Sequence, residues 1–206
     1  MKFLDCGNTP LGIYPLVDRA NKIETLFALG ITTAQLRTKD LKDEALEKEI
    51  IKAIEISNKY QARLFINDFW QLAIKHKAYG IHLGQEDLID ADLKAIYEAG
   101  IRLGVSTHTT KEIEMALEIE PSYLAIGPIF ETTSKVVDYD TVGIEELSNW
   151  SQSVLYPIVA IGGINLQNIQ DIIAIPSVKG IAMISELLEN DKISQNKTKK
   201  LVKIFN

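Results

Sequence analysis

Gln35, Arg37 and Lys39 stand at alternate positions of Gln35-Leu36-Arg37-Thr38-Lys39. Side chains of an extended chain alternate with period two, so an amide and two cations point to one side. A guanidinium grips two oxygens as a rigid fork and an ammonium adds a compact point charge, a pairing suited to a pyrophosphate. Taken alone, the same residues read equally as exposed charge ahead of a helix. Two carboxylates follow. Asp68, in Asn67-Asp68, directly precedes Phe69-Trp70-Gln71-Leu72 and by itself reads better as the N-cap of a helix. Asp87 closes His82-Leu83-Gly84-Gln85-Glu86-Asp87. Mg²⁺ binds through one or two carboxylates, waters and the oxygens of a substrate phosphate, which makes Asp68 and Asp87 beside a bound pyrophosphate a candidate Mg²⁺ site. His82, His108 and the single Cys6 lack the spacing of a zinc motif, and the histidines read as structural groups or as hydrogen-bond donors to substrate.

Further along, Gly104-Val105-Ser106-Thr107-His108 offers a hydroxyl, Ser106, but no nucleophilic triad. Gly127-Pro128-Ile129-Phe130-Glu131-Thr132-Thr133-Ser134-Lys135 combines hydroxyls with a lysine and could close over an anion, although one polar loop is weak evidence. Gly163, in Ala160-Ile161-Gly162-Gly163-Ile164, lets backbone approach a phosphate, or else serves tight strand-to-helix packing. Ser185, after Ala182-Met183-Ile184, is expected at the start of the last helix, where orphan N–H groups favour an anion. These residues describe two anion centres, one for a pyrophosphate with Mg²⁺ and one for a monophosphate.

The elements that must position them alternate. Short apolar or β-branched runs predict strands at residues 12–17, 32–36, 63–66, 80–83, 102–105, 123–126, 158–161 and 180–184. Between them, segments with apolar residues at three- and four-residue steps predict helices at 19–29, 42–60, 69–76, 90–99, 111–118, 144–150, 166–173 and from 185 onward. The clearest is 42–60, where Leu46, Ile50, Ala53, Ile54 and Ser57 recur on one face. Gly30, Gly80 and Gly100 are expected to turn the chain left-handed after helices. Eight strand–helix units predict a parallel α/β fold, a (β/α)₈ TIM barrel, whose chemistry sits at the C-terminal ends of the strands. Nearly all the polar clusters fall there. The rival, a doubly wound sheet, would carry a glycine-rich turn after its first strand, where Val17-Asp18-Arg19 stands instead.

With 206 residues, 46% of them hydrophobic, the chain can build one sizeable core, and a single catalytic domain over residues 1–206 is expected. The net charge of −6 offers no attraction for nucleic acid or an anionic membrane surface. The longest largely apolar run, 154–164, carries a proline and two glycines and is too short to span a bilayer. A lone cysteine and no apolar leader after Met1 fit the cytoplasm. The polar stretch 189–200 reads as a frayed final helix, and a homo-oligomer is compatible with the sequence.

Taken in order, Q-x-R-x-K, N-D, H-x-G-Q-E-D, G-x-S-x-H, G-P-x-F-x-T-x-[ST]-K and G-G-I over residues 12–185 resemble the thiamine-phosphate synthase family, and 73–88 resembles its enterobacterial members especially. The resemblance implies a Mg²⁺-dependent transferase that joins hydroxymethylpyrimidine pyrophosphate to thiazole phosphate, or its carboxylated form, through a pyrimidinylmethyl cation. It implies that Gln35, Arg37, Lys39, Asn67 and Lys135 hold the pyrimidine pyrophosphate, that Ser106 also contacts the pyrophosphate, and that Asp68 and Asp87 carry Mg²⁺. Thr132, Ser134, Gly163, Ile184 and Ser185 would hold the thiazole phosphate, the last three mainly through backbone N–H groups. Arg37, Lys39, Lys135 and Ser106 would assist departure of pyrophosphate. The chain departs from the family loop at Glu131, where proline is usual, and at Ser134, where threonine is usual. Two rival readings use the same fold: a thiazole tautomerase, which needs no pyrophosphate and metal centre, and a non-catalytic sensor of phosphate ligands.

Overall fold

The computed structural model describes residues 1–132 and 140–205. In chain order the elements are β1 (Gly12–Val17), α1 (Ala20–Ala28), β2 (Thr33–Leu36), α2 (Asp43–Tyr60), β3 (Arg63–Asn67), α3 (Trp70–Lys75), β4 (Gly80–Leu83), α4 (Gln85–Asp90), α5 (Leu93–Glu98), β5 (Arg102–Thr107) and α6 (Thr110–Ile119). They continue with β6 (Tyr123–Ile126), α7 (Gly143–Gln152), β7 (Ile158–Ile161), α8 (Ile169–Ile173), β8 (Val178–Met183), a ribbon of β9 (Leu188–Glu189) and β10 (Lys192–Ile193), and α9 (Gln195–Phe205). Strands β1 to β8 close in sequence order, and β1 meets β8 in parallel with Gly12 opposite Gly180 and Pro15 opposite Met183. The expected (β/α)₈ TIM barrel is the fold.

Period two divides the strands into two apolar faces. Outward residues such as Ile13, Leu64, Ile81, Leu103 and Leu124 pack under the helices, which present Ile23, Leu26, Ile50 and Ala53 to them. Inward residues Tyr14, Leu16, Phe65, Tyr123, Ala125, Val159 and Ala182 fill the barrel itself. A strand buried on both faces reads as a near-continuous apolar run, which is why the short runs located the strands. Two inward glycines leave room for the rings. A Cβ on Gly80 would meet Phe65 Cδ1 at 2.6 Å, and one on Gly104 would overlap the ring and hydroxyl of Tyr123. Gly104→Ala is therefore expected to cost about 1–3 kcal/mol, since a packed core cannot absorb an extra methyl without displacing a ring. Thermal denaturation checks it, and an unchanged melting temperature would count against this packing role.

The other end of the barrel is stoppered by the chain before β1. Buried Arg63 donates to the carbonyls of Thr9 at 3.0 Å and Pro10 at 2.6 Å, so its charge is met by backbone oxygens. Tyr79 Oη donates to the Cys6 carbonyl at 3.1 Å, Arg102 Nε donates to that of Asp5 at 2.8 Å, and the Arg102 guanidinium lies 4.1 Å from the Tyr79 ring centre.

Several sequence expectations need correction. The helix expected at 90–99 is present but shorter, as α5, which begins at Leu93, where the Asp92 carboxylate caps it by accepting from Ala95 N–H at 2.9 Å, and an unexpected helix, α4, occupies the polar stretch from Gln85 before it. Gly30 and Gly100 are left-handed with φ of 96° and 69°, but Gly80 opens β4, and Lys77 takes the left-handed turn with φ of 54°. The last helix begins at Gln195, not near Ser185; between them lies the β9–β10 ribbon, turned by Asn190 and Asp191 with φ of 50° and 59°. Nor is the end simply frayed, because α9 buries Thr198 and Leu201. Among the described residues, no helix is long and apolar enough to cross a membrane.

Candidate active site

The C-terminal ends of the barrel strands surround a cavity of about 500 Å³. Gln35, Arg37, Lys39, Asn67, Asp68, Asp87, Ser106, Thr132, Gly163, Ile184 and Ser185 all line it. The two remaining candidates, Ser134 and Lys135, lie outside the described residues. Period two at the end of β2 thus puts the amide and both cations into one space. The Arg37 backbone N–H fixes the exit of that strand by donating to the Val17 carbonyl at 2.7 Å.

Asp68 is not an N-cap. It takes a left-handed φ of 65°, its N–H donates to the His82 carbonyl at 3.0 Å, and α3 is preceded by Phe69 without any side-chain cap. This conformation turns the carboxylate toward Lys39, whose Nζ stands 2.7 Å from Asp68 Oδ2. Asp87 lies in the first turn of α4, and its Oδ2 accepts from Gly84 N–H at 3.2 Å. Burial, reinforced by the charge of Asp68, holds the Asp87 carboxyl above its ordinary value. Two hard-oxygen donors that repel one another, with an ammonium resting on one of them, form a donor set that fits Mg²⁺. Among the described residues no cluster of three or more His, Cys, Asp or Glu side chains could hold a metal. A cation at this pair would thus take its other ligands from substrate and water.

On the opposite side, Gly162 and Gly163 have φ of 102° and 66°. A Cβ on Gly163 would meet the Glu131 carbonyl at 2.5 Å and Phe130 Cβ at 2.7 Å. The glycine is required by close packing against the loop after β6, a different neighbour from the following helix. That loop is tied on by Ile129 N–H donating to the Ile161 carbonyl at 2.9 Å and Phe130 N–H to Gly162 at 3.0 Å. Asn168 Nδ2 donates to the Gly163 carbonyl at 3.0 Å, which fixes the peptide orientation. Ser185 sits in the turn between β8 and the ribbon, where Leu188 N–H donates to its carbonyl at 2.9 Å.

Sequence reading missed Tyr14, Tyr123, Glu86, Asn165 and Glu186 as lining residues. The two tyrosines were hidden in apolar strands; their signal was inward register beside Gln35 and Ser106. His108 is held by Glu112, whose Oε2 accepts the His108 backbone N–H at 2.5 Å and lies 3.1 Å from Nδ1. Cys6, away from the cavity lining, is buried, and burial pushes its thiol up to about 11. Its thiolate fraction at pH 8 is then roughly a hundredfold below that of a thiol two pH units more acidic. An alkylating reagent at pH 8 is expected to modify Cys6 only upon unfolding, as read by mass spectrometry with and without denaturant.

The family described as Thiamine monophosphate synthase matches residues 14–187. The chain is 49% identical over 180 residues to the thiamine-phosphate synthase of Klebsiella pneumoniae subsp. pneumoniae, covering 87% of this chain and 85% of that one. It is 49% identical over 178 residues to that of Proteus mirabilis, covering 86% and 82%. Among solved structures, thiamine phosphate pyrophosphorylase from Pyrococcus furiosus matches with a TM-score of 0.83 at 27% identity, over 95% of each chain. N-(5'-phosphoribosyl)anthranilate isomerase from the same organism matches with a TM-score of 0.69 at 13% identity over 94% of this chain and 97% of that one, a likeness of fold alone. With the match running through nearly every strand of the barrel, the chain belongs to the thiamine monophosphate synthase family.

Proposed function

We propose that the chain is a thiamine-phosphate synthase, a transferase that joins hydroxymethylpyrimidine pyrophosphate to thiazole phosphate, or its carboxylated form, giving thiamine phosphate and pyrophosphate, and carbon dioxide as well from the carboxylated form. The observation that carries this reading is the meeting of Gln35, Arg37, Lys39, Asp68, Asp87 and Ser106 with Gly163, Ile184 and Ser185 around one cavity, in a member of this family. A tautomerase or a phosphate sensor has no use for the two cations and two carboxylates together.

Asp68 and Asp87 would hold Mg²⁺, which supplies charge stabilisation to the leaving pyrophosphate when bound. Arg37 and Lys39 add fixed positive charge where the leaving oxygen becomes negative, and Ser106 donates a hydrogen bond there. Lys39 must leave Asp68 to do so, and at 56% exposure its side chain is free to swing. Gln35 and Asn67 orient the pyrimidine, and the resemblance adds Lys135 on the pyrophosphate. Thr132 and Ser134, with backbone N–H groups at Gly163, Ile184 and Ser185, hold the thiazole phosphate so that the ring nitrogen faces the pyrimidine methylene carbon. Bond breaking at that carbon leaves a cation, which the thiazole nitrogen captures. The protein supplies alignment and electrostatics and needs no nucleophile of its own. The lone buried thiol is compatible with a reducing cytoplasm as the place of action.

The test is to mix the purified chain with both substrates and Mg²⁺ and measure thiamine phosphate by thiochrome fluorescence. Product formation is expected. Absence of product, with isomerisation of the carboxylated thiazole instead, would transfer the chain to the tautomerase reading.

A further inference from the structure

Beneath the cavity a line of hydrogen bonds crosses the barrel. Gln35 Nε2 donates to Tyr14 Oη at 3.3 Å, Tyr14 Oη lies 2.9 Å from Tyr123 Oη, Tyr123 Oη lies 2.7 Å from His82 Nδ1, and His82 Nε2 lies 2.8 Å from Ser106 Oγ. These five side chains come from β2, β1, β6, β4 and β5, all at inward positions. Tyr14, Gln35 and Tyr123 are at most 2% exposed, and Gly104 leaves the space that the Tyr123 ring occupies. The line begins at the residue assigned to the pyrimidine ring and ends at one assigned to the pyrophosphate.

While the imidazole is neutral, such a line has two self-consistent polarities. Burial pushes both phenols well above their ordinary range, so each keeps one proton. With Gln35 donating to Tyr14, the Tyr14 proton goes to Tyr123 and that of Tyr123 goes to His82 Nδ1. The imidazole is then neutral with its proton on Nε2, which it gives to Ser106 Oγ, and the serine proton is left for the cavity. In this polarity Gln35 keeps its carbonyl as a spare acceptor, and Oε1 is buried without a hydrogen-bond partner. In the reverse polarity Ser106 donates to His82, every proton shifts the other way, and the Gln35 amide turns over to offer a spare N–H. A mixed arrangement sets two donors or two acceptors against each other in the core, where an unmade hydrogen bond is costly. An anion at Ser106 accepts and cannot donate, so it selects the first polarity and fixes Gln35 as an acceptor for the ring.

We propose that Tyr14, Tyr123 and His82 are positioning residues, a relay by which an anion at Ser106 commits Gln35 to accept a hydrogen bond, so that an amino-substituted pyrimidine is chosen over an oxo-substituted one. The proposal rests on the synthase reading for the identity of its substrate, and it assigns selectivity to side chains one or more bonds removed from the ring.

Two measurements test it. The first compares kcat/KM for the amino-substituted hydroxymethylpyrimidine pyrophosphate and its oxo counterpart. The intact chain is expected to prefer the amino ring by on the order of 100-fold, because a site built for a donor leaves its acceptor unpaired against a carbonyl. Tyr123→Phe severs the relay and is expected to lower that preference at least ~10-fold, since Gln35 is then free to turn over. His82→Asn keeps a partner for Tyr123 while losing reach to Ser106, and is expected to act in the same direction if the phenylalanine variant does not fold. A purely structural role would slow both substrates alike; an unchanged preference in a folded variant overturns the relay. The second measurement needs no turnover. Nitrogen NMR of the chain with inorganic pyrophosphate and Mg²⁺ is expected to show His82, assigned through His82→Asn, as the neutral Nε2–H tautomer. The Nδ1–H tautomer or an imidazolium overturns the proposal. Failure of the intact chain to use either pyrimidine would remove the synthase reading and leave the tautomer to decide the relay.

Discussion

Arg37→Ala is expected to slow turnover by about a hundredfold or more, near 3 kcal/mol for a preorganised donor facing charge that grows in the transition state. The residue follows β2 directly, its backbone pinned to Val17, and its side chain lines the cavity. Lys39 cannot replace it, because an ammonium lacks the planar fork and this one rests on Asp68. Steady-state kinetics with saturating substrates would check the value. Near-normal kcat would remove Arg37 from the leaving-group site. A rise in KM alone would reduce it to a binding contact equally strong before and during reaction.

The second large effect is expected of Asp68→Asn. Asparagine tolerates the left-handed φ of 65° that Asp68 adopts, so the change removes charge without straining the chain. The half-exposed pair with Lys39 is worth little, and the melting temperature should hold nearly still. Activity at fixed Mg²⁺ is expected to fall by on the order of 100-fold, with the Mg²⁺ concentration for half-activation rising at least ~10-fold. Titrating Mg²⁺ against initial rate separates the two quantities. An unmoved half-activation point would place the metal elsewhere.

The parts of the fold legible in the sequence were those with strong period. Strands buried on both faces announced themselves as apolar runs, and α2 as a stripe that ends up buried at Leu46, Ile50, Ala53 and Ile54. Helix α4 escaped because Gln85-Glu86-Asp87 offers no apolar face; its existence rests on Gly84 and the Asp87 carboxylate at its first turn. The β9–β10 ribbon escaped because each strand is only two residues long, although Asn190-Asp191 carried a hairpin signal in residues that accept positive φ. Ser185 was therefore assigned to the wrong local structure, although it lines the cavity.

The same divide holds within the site. Charged residues after strands could be placed by one rule about barrels, and Arg37, Lys39, Asp68 and Asp87 all face the cavity. Tyr14 and Tyr123 could not, since on a single strand a tyrosine inside an apolar run looks like core. Only closure of the barrel brings them within 2.9 Å, across 109 residues of sequence. That Asp68 is no cap likewise turned on one backbone angle that composition does not encode.

The stopper formed by Arg63 and the carbonyls of residues 9 and 10 makes the reaction chamber a cul-de-sac. Both reactants must come in, and both products go out, through one doorway.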